Sequence, residues 1–185
     1  TAASALESLA DRFDVLGIVR DAGPGDDAVE VAARCGIPVF RDLSPGAVAE
    51  LVESRDPDCV VVSSYDRILP AALIANRPFV NVHYAPLPRY RGRATVNWAV
   101  LNGEPTCAVT VHVLAPELDA GGVLCQEFVA VEGRDTVGDL YRKLNAVQRR
   151  VLAGAVERRL AGDLGVPQDE SQATYGCTRI PDDGE

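Results

Sequence analysis

Short apolar runs alternate with longer amphipathic segments along this chain, and the alternation constrains the fold more than any single motif. Each short run has the length and β-branched content of a buried strand, and each longer segment has apolar residues three or four apart, as in a surface helix. The predicted strands cover residues 14–20, 37–40, 58–64, 79–83, 107–114 and 122–131, and the predicted helices cover residues 28–36, 44–55, 70–75, 95–102 and 136–161. This order predicts the α/β class, with a mostly parallel, twisted sheet that has helices on both faces.

The start of the chain departs from that order. The first residues, TAASALESLADRF, have helical spacing. A Rossmann-like sheet begins with a strand that precedes its first helix. We therefore expect that the first strand is missing from this sequence, which we interpret as N-terminally incomplete.

The composition limits the classes of function that this chain can have. Its 185 residues are 47% hydrophobic, which suits one domain with a sizeable core, and no apolar run approaches the ~20 residues that cross a membrane. Five scattered cysteines without a C-x-x-C pair are typical of reduced thiols in a cytoplasmic protein. A formal net charge of −9 disfavours a polyanionic partner. We therefore expect a cytoplasmic location, no membrane partner and no nucleic-acid partner.

Three polar residues in or after the predicted strands suit group-transfer chemistry. Asn81 and His83 stand two apart in an apolar strand, so both point to one face, where burial costs free energy unless a partner satisfies them. Asp119 follows the strand over residues 107–114. An amide, an imidazole and a carboxylate are what transfer through a tetrahedral oxyanion needs. Taken singly, each residue also fits a structural role, as a strand-end cap, a core histidine or a turn former.

A set of short motifs surrounds these three residues. In chain order the motifs are Asn81-x-His83, LPRYRG at 87–92, NW at 97–98, NGE at 102–104, TVH at 110–112 and LDAG at 118–121. Together they resemble the formyltransferase family that uses 10-formyltetrahydrofolate, and the resemblance extends more loosely from about residue 14 to residue 181. It implies a Rossmann-like formyltransferase fold. Because the tail from Gly162 is polar, we expect a catalytic domain over residues 1–161 and a polar C-terminal extension over residues 162–185. It also implies that Asn81, His83 and Asp119 are the catalytic residues.

The resemblance further implies where the co-substrate binds. Residues 63–70, SSYDRILP, follow the most strand-like run of the chain, and ligands of open α/β sheets lie beyond the carboxyl ends of strands. We expect a pocket for 10-formyltetrahydrofolate between this segment and residues 114–118. The predicted cofactor-binding residues are Tyr65, Arg67, Ile68, Leu69, Leu114, Ala115 and Glu117. We expect no metal. A dinucleotide is not expected either, because residues 22–27 lack the spacing of a phosphate-binding glycine motif.

The acceptor of the formyl group is less constrained by the motifs. The predicted substrate-binding residues are Tyr84, Arg89, Arg91 and Arg93, which lie beside the catalytic strand. The RGRA, NW and NGE segments look closer to aminosugar formyltransferases, so we predict a small-molecule amine on a nucleotide-linked aminosugar or an amino acid derivative. His112 is interpreted as structural, and we expect a monomer or a homodimer.

Two alternatives stay open. One is methionyl-tRNA formyltransferase, although the loop after residues 14–20 lacks the basic insertion by which the tRNA enzymes bind their substrate. The other is a folate-binding domain without catalysis, which would need the pocket but not Asn81 and His83.

Overall fold

The computed structural model describes residues 1–21 and 25–176 of the chain, and it confirms the predicted α/β class. The helices are α1 (Ala2–Ala10), α2 (Asp27–Cys35), α3 (Pro45–Arg55), α4 (Ala71–Ala75), α5 (Thr95–Leu101) and α6 (Val137–Leu160). The strands are β1 (Ile18–Val19), β2 (Val39–Phe40), β3 (Val60–Ser63), β4 (Phe79–His83), β5 (Arg91–Gly92), β6 (Thr106–Val113), β7 (Val123–Ala130) and β8 (Tyr175–Gly176). A 3₁₀ turn covers Glu170–Gln172. Residues 22–24 of the predicted 22–27 loop and residues 177–185 of the predicted extension lie outside the described residues.

Four strands form the main sheet in the order β3-β4-β6-β7. β3 and β4 are parallel, whereas β6 is antiparallel to both β4 and β7, so the sheet is mixed. The β6–β7 pair is antiparallel because the connection between these two strands is too short for the crossover that a parallel pair needs. In this register Asn81 lies opposite His112. Two further parallel pairs, β1 with β2 and β5 with β8, form separate two-stranded sheets.

The two faces of the main sheet are covered by different helices. Val80 and Val82 of β4 pack with α1, α5 and α6 in the larger core cluster. Phe79 packs with α3 and α4 in a smaller cluster. Because side chains alternate along a strand, Asn81 and His83 lie on the Phe79 face. The predicted helices on both faces are therefore confirmed, and the face with α3 and α4 carries the candidate site.

Several helices begin where their capping residues predict. Asp26 accepts backbone hydrogen bonds at the start of α2, and Ser44 accepts one at the start of α3, just before Pro45. Thr136 and Asp139 form a capping box at the start of α6. Each cap satisfies N–H groups that the first turn of a helix leaves unpaired, so these side chains fix where the covering helices begin.

The edge of the structure near α1 is open. A groove of about 470 Å³ lies between the β1 strand and the β3 strand of the main sheet. Residues Ile18 and Val19 line one side of it, and residues Val60 to Ser63 line the other. The missing first strand stays a prediction. Among the described residues, no helix is long and apolar enough to cross a membrane.

The chain after α6 returns to the main sheet. Val166 pairs with Val123 at the start of β7, and β8 pairs with β5 in the loop that follows β4. The described part of the predicted extension, residues 162–176, therefore contacts the neighbourhood of the candidate site. The division of the chain at residue 161 stays a prediction.

Candidate active site

The three predicted catalytic residues lie together on the Phe79 face of the main sheet. Asn81 and His83 project from β4, and Asp119 reaches them from the loop between β6 and β7. The Asn81 Nδ2 atom lies 3.2 Å from Asp119 Oδ1, and the His83 Nδ1 atom lies 3.6 Å from Asp119 Oδ2. His83 and Asp119 are each 8% exposed. The structure therefore forms a buried cluster of an amide, an imidazole and a carboxylate, which we call the catalytic cluster.

A tight loop delivers Asp119 to this cluster. Asp119 has a backbone φ of +50°, in the left-handed region that Asp tolerates better than most residues. Gly121 then passes so close to β6 that an added Cβ would collide with the carbonyl oxygen of Val113. The Gly92 N–H donates to Asp119 Oδ2 over 2.8 Å. The glycine at position 121 is therefore a steric requirement of the loop that places the carboxylate.

Burial and neighbouring groups set the charges of the cluster. Burial lowers the pKa of His83, and it outweighs the opposing effects of the Asp119 carboxylate and the Tyr90 carbonyl. Burial also disfavours the ionised form of Asp119, but three neighbouring groups outweigh it and hold the pKa of this residue at about 2. These groups are the His112 ring, the His83 ring and the Gly92 N–H. At neutral pH the cluster therefore combines an ionised carboxylate with a neutral imidazole.

A hydrogen bond fixes which nitrogen of His83 carries the proton. The Nε2 atom lies 2.7 Å from the carbonyl oxygen of Tyr90, which can only accept. Nε2 is therefore protonated, and the neutral ring keeps its lone pair on Nδ1, the atom that faces Asp119 Oδ2. The cluster thus presents a basic nitrogen beside a carboxylate.

The amide of Asn81 is oriented by its two neighbours. Asp119 is ionised and can only accept, so the amide nitrogen faces it. The same nitrogen lies 3.1 Å from His112 Nε2, while His112 Nδ1 lies 2.9 Å from the carbonyl oxygen of Val113. Both N–H groups of Asn81 are therefore engaged within the chain.

His112 is a residue whose contact with the site the sequence interpretation missed. It is fully buried, and its Nε2 atom lies 3.1 Å from the amide nitrogen of Asn81. The signal that could have found it is strand register, since β6 places His112 opposite Asn81.

The two predicted walls of the folate pocket share one hydrophobic cluster. Three of the predicted folate-binding side chains pack in the cluster that contains Phe79: Tyr65, Leu69 and Leu114. Ile68, which directly precedes Leu69 in the chain, is 90% exposed. The other three are Arg67 and Glu117, which are exposed, and Ala115, which is half-buried. The two segments therefore meet through side chains packed on the Phe79 face, and the folate pocket between them stays a prediction.

The family of the chain is decided by comparison with known proteins. Residues 16–156 match the formyl transferase family. The chain belongs to the formyl transferase family. This membership confirms the resemblance carried by the sequence motifs.

Several named proteins are similar to this chain. Methionyl-tRNA formyltransferases from Lactiplantibacillus plantarum and Streptococcus pyogenes are 35% and 30% identical to it, over 98% and 97% of this chain. The chain spans about 62% of the length of the first and 63% of the second.

Solved structures confirm the predicted formyltransferase fold. Glycinamide ribonucleotide transformylase 1 from Symbiobacterium toebii superposes with a TM-score of 0.79 at 23% identity, covering 90% of this chain and 89% of that one. A formyltetrahydrofolate deformylase from Pseudomonas syringae pv. tomato superposes with a TM-score of 0.75 at 26% identity, covering 90% of this chain and 63% of that one.

Two of the predicted acceptor-binding residues are buried within the chain. Tyr84 continues the alternation of β4 on the Val82 side, where it is 7% exposed and its hydroxyl contacts Asn145 and Gln148 of α6. Arg91 is 1% exposed, and its guanidinium is held within the chain. Both assignments are corrected: strand alternation turns the Tyr84 ring into the core, and the Arg91 guanidinium is buried against Glu170 of the same chain.

The other two predicted acceptor-binding residues reach solvent. Arg89 is about half-exposed and pairs with Glu104 over 2.5 Å. Arg93 is 63% exposed and lies 3.8 Å from Asp66. The role of Arg89 and Arg93 in binding the acceptor stays a prediction.

Proposed function

We propose that this chain catalyses the transfer of a formyl group from 10-formyltetrahydrofolate to an amine. The observation that carries the proposal is the convergence of Asn81, His83 and Asp119 in one buried cluster of a formyl transferase chain. The co-substrate supplies an activated formyl carbon. The residues of the chain hold it, orient it and move protons beside it.

The folate lies, in this proposal, against the wall formed by residues 63–70 and 114–118. Leu69 and Leu114 pack in one cluster and so hold the backbone of both segments in place. The exposed Ile68 offers apolar contact, and Arg67 offers a positive charge to the acidic tail of the folate.

His83 moves a proton in this reaction. As the amine forms its bond to the formyl carbon it must lose a proton, and the lone pair on His83 Nδ1 can accept it. Asp119 faces the same atom and stabilises the imidazolium that results. His83 then returns the proton to the folate nitrogen as its bond to the formyl carbon breaks.

Asn81 stabilises the negative charge that develops on the formyl oxygen. Both of its N–H groups are engaged before substrate binds, one by Asp119 and one by His112. The formyl oxygen takes one of them in exchange, so no buried N–H is left unpaired and the donor is already oriented when charge develops.

We further propose that the acceptor is a small-molecule amine. A net charge of −9 and the absence of a basic insertion after residues 14–20 both disfavour a polyanionic acceptor. The exposed guanidiniums of Arg89 and Arg93 are suited to a phosphate or carboxylate on a nucleotide-linked aminosugar or an amino acid derivative.

Methionyl-tRNA is a second candidate acceptor. It is favoured by the curated relatives, which are methionyl-tRNA formyltransferases 30% to 35% identical to this chain. We place it second because the phosphates of tRNA would meet an acidic protein.

A screen of acceptors tests the proposal. The chain is incubated with 10-formyltetrahydrofolate and, separately, nucleotide-linked aminosugars, ornithine derivatives and methionyl-tRNA, and the release of tetrahydrofolate is followed. We expect release with a small-molecule amine, and its near loss in a folded Asp119→Asn variant. Release with methionyl-tRNA alone at physiological salt would establish the second candidate. Folate binding without release for any acceptor would instead establish a folate-binding domain.

A further inference from the structure

A buried arginine links the loop after β4 to the end of the described chain. Arg91 is 1% exposed, and its Nη1 and Nη2 atoms lie 2.8 and 2.6 Å from the two carboxylate oxygens of Glu170. Nη1 also donates to the Tyr175 hydroxyl over 3.2 Å. The motif that carries Arg91 is therefore anchored to residues about 80 positions later in the sequence.

Gln168 connects this arginine to the backbone beside the catalytic carboxylate. Its Nε2 atom donates to the carbonyl oxygens of Asp119 and Gly121, both over 2.8 Å. Its Oε1 atom accepts from Arg91 Nη2 over 2.8 Å. Carbonyl oxygens only accept and guanidinium groups only donate, so the amide of Gln168 can take only this orientation.

Asp119 needs such a support because its backbone is in an uncommon conformation. A positive φ is unfavourable for a residue with a side chain, and it persists where surrounding contacts determine it. The two bonds from Gln168 fix the carbonyl groups on either side of Ala120. They therefore fix the direction in which the Asp119 carboxylate points.

The same segment also holds the donor that the carboxylate faces. Asp119 Oδ2 accepts a hydrogen bond from the Gly92 N–H. Gly92 belongs to β5, which pairs with β8. Arg91 N–H donates to Thr174 over 2.8 Å, and Arg93 N–H donates to Gly176 over 3.4 Å. Residues 168–176, which we call the strap, thus support Asp119 from its backbone and from its side chain.

We infer that the strap positions Asp119 for catalysis and that Gln168 is its positioning residue. The inference rests on the proposed function for its catalytic consequence. Its structural part, the placement of the carboxylate against Gly92, can be measured without any substrate.

Amide hydrogen exchange of the chain in solution measures that placement directly. Gly92 N–H reports on the Asp119 carboxylate, whereas Arg91 N–H and Arg93 N–H report on the pairing of β5 with β8. We expect Gln168→Leu to lower the protection of Gly92 N–H about tenfold or more, with the two flanking amides changed less than about twofold. Gln172→Leu is the matched control, because Gln172 is an exposed glutamine of the same segment.

Gln168→Glu is a second variant that keeps the oxygen facing Arg91 and loses the two N–H donors to the loop. It should lower the protection of Gly92 N–H as Gln168→Leu does, and it remains available if Gln168→Leu fails to fold. Unchanged protection of Gly92 N–H in the folded variants would overturn the inference. An equal loss of protection at the amides of Gly92, Arg91 and Arg93 would also overturn it. Gln168 would then hold the strap in place and would not position Asp119.

Kinetics of the same variants test the catalytic consequence. We expect kcat to fall about 10- to 100-fold with KM for the folate changed less than about twofold, because a misplaced carboxylate weakens the transition state and not folate binding. Normal kcat together with lost Gly92 protection would overturn the catalytic part. If the unaltered chain transfers no formyl group to any acceptor, the proposed function fails, and hydrogen exchange still decides whether Gln168 positions Asp119.

Discussion

Asp119 receives a hydrogen bond on each carboxylate oxygen, one from the Asn81 amide and one from the Gly92 N–H. These bonds, with the two neighbouring histidine rings, keep a buried carboxylate ionised. The residue is coupled to both other members of the cluster, because it is the acceptor that orients Asn81 and the anion that faces His83. Its charge therefore matters to two groups at once.

The charge of Asp119 is tested by the variant Asp119→Asn. We expect kcat to fall by about 10²–10³, as for the loss of one oriented electrostatic group in an active site. The carboxylate raises the pKa of His83, so its removal lowers that pKa, and the acidic limb of the kcat/KM profile should move to lower pH. Asp11→Asn, at an exposed position after α1, is the control. An acidic limb that stays in place would show that Asp119 and His83 are not coupled.

At the scale of secondary-structure elements, the close contact between β5 and β8 depends on a glycine. Gly92 has a φ of +98°, and an added Cβ would lie 2.6 Å from the carbonyl oxygen of Gly176. Gly92→Ala should therefore separate the two strands and lower both stability and kcat. Gly103→Ala is the matched control, because Gly103 also has a positive φ but has open space around it. We expect the control to cost about 1–2 kcal/mol and Gly92→Ala to cost more, as measured by urea unfolding. Equal costs would contradict the predicted collision.

The capping box of α6 gives a prediction in which stability falls and kcat does not. Thr136→Ala removes the side chain that accepts from Asp139 N–H, which should cost about 1 kcal/mol of stability. The helix packs on the face of β4 opposite the catalytic cluster, so we expect kcat to stay within about twofold in the folded variant. A large fall in kcat without unfolding would mean that the two faces are coupled. Melting curves measured beside steady-state kinetics separate these outcomes.

Periodicity in the sequence accounts for much of the fold and for the core of the site. The period of two in β4 places Asn81 and His83 on one face, and the same rule places Tyr84 on the other, so its assignment to the acceptor conflicted with the pattern itself. Arg91 could not be assigned in this way, because its partners lie about 80 residues away and only the folded chain brings them together. His112 likewise depends on the register of β6 against β4, which spacing within one segment does not determine.

For the whole molecule, stability should fall as the pH falls. The pKa of Asp119 is about 2 in the folded chain against an ordinary value of 3.8, which corresponds to about 2 kcal/mol of stability. This contribution is present above pH 3.8 and is lost as the pH falls through about 2. Burial lowers the pKa of His83, so the unfolded chain takes up a proton first, and stability also declines as the pH falls below about 6.5.

Urea unfolding at a series of pH values measures this dependence. Asp119→Asn should make the decline below about pH 4 shallower, because that variant no longer has the shifted carboxylate. An unchanged slope in the variant would contradict the pKa assigned to Asp119.

The acidity of the whole chain bears on its acceptor. With a net charge of −9, any binding to tRNA should be weak at physiological salt and should fall further as salt increases. A filter-binding titration at two salt concentrations measures this. Tight binding that changes little with salt would contradict the preference for a small-molecule amine.

The catalytic cluster itself is tested most directly by single-turnover formyl transfer in the Asn81→Ala variant. The variant is mixed with 10-formyltetrahydrofolate and the best acceptor of the screen, and folate affinity is measured on the same sample. We predict a transfer rate about 10²–10³ lower, an unchanged fold and a folate affinity within about twofold, because Asn81 acts on charge that develops only during transfer. A transfer rate near that of the unaltered chain in folded Asn81→Ala would contradict the account.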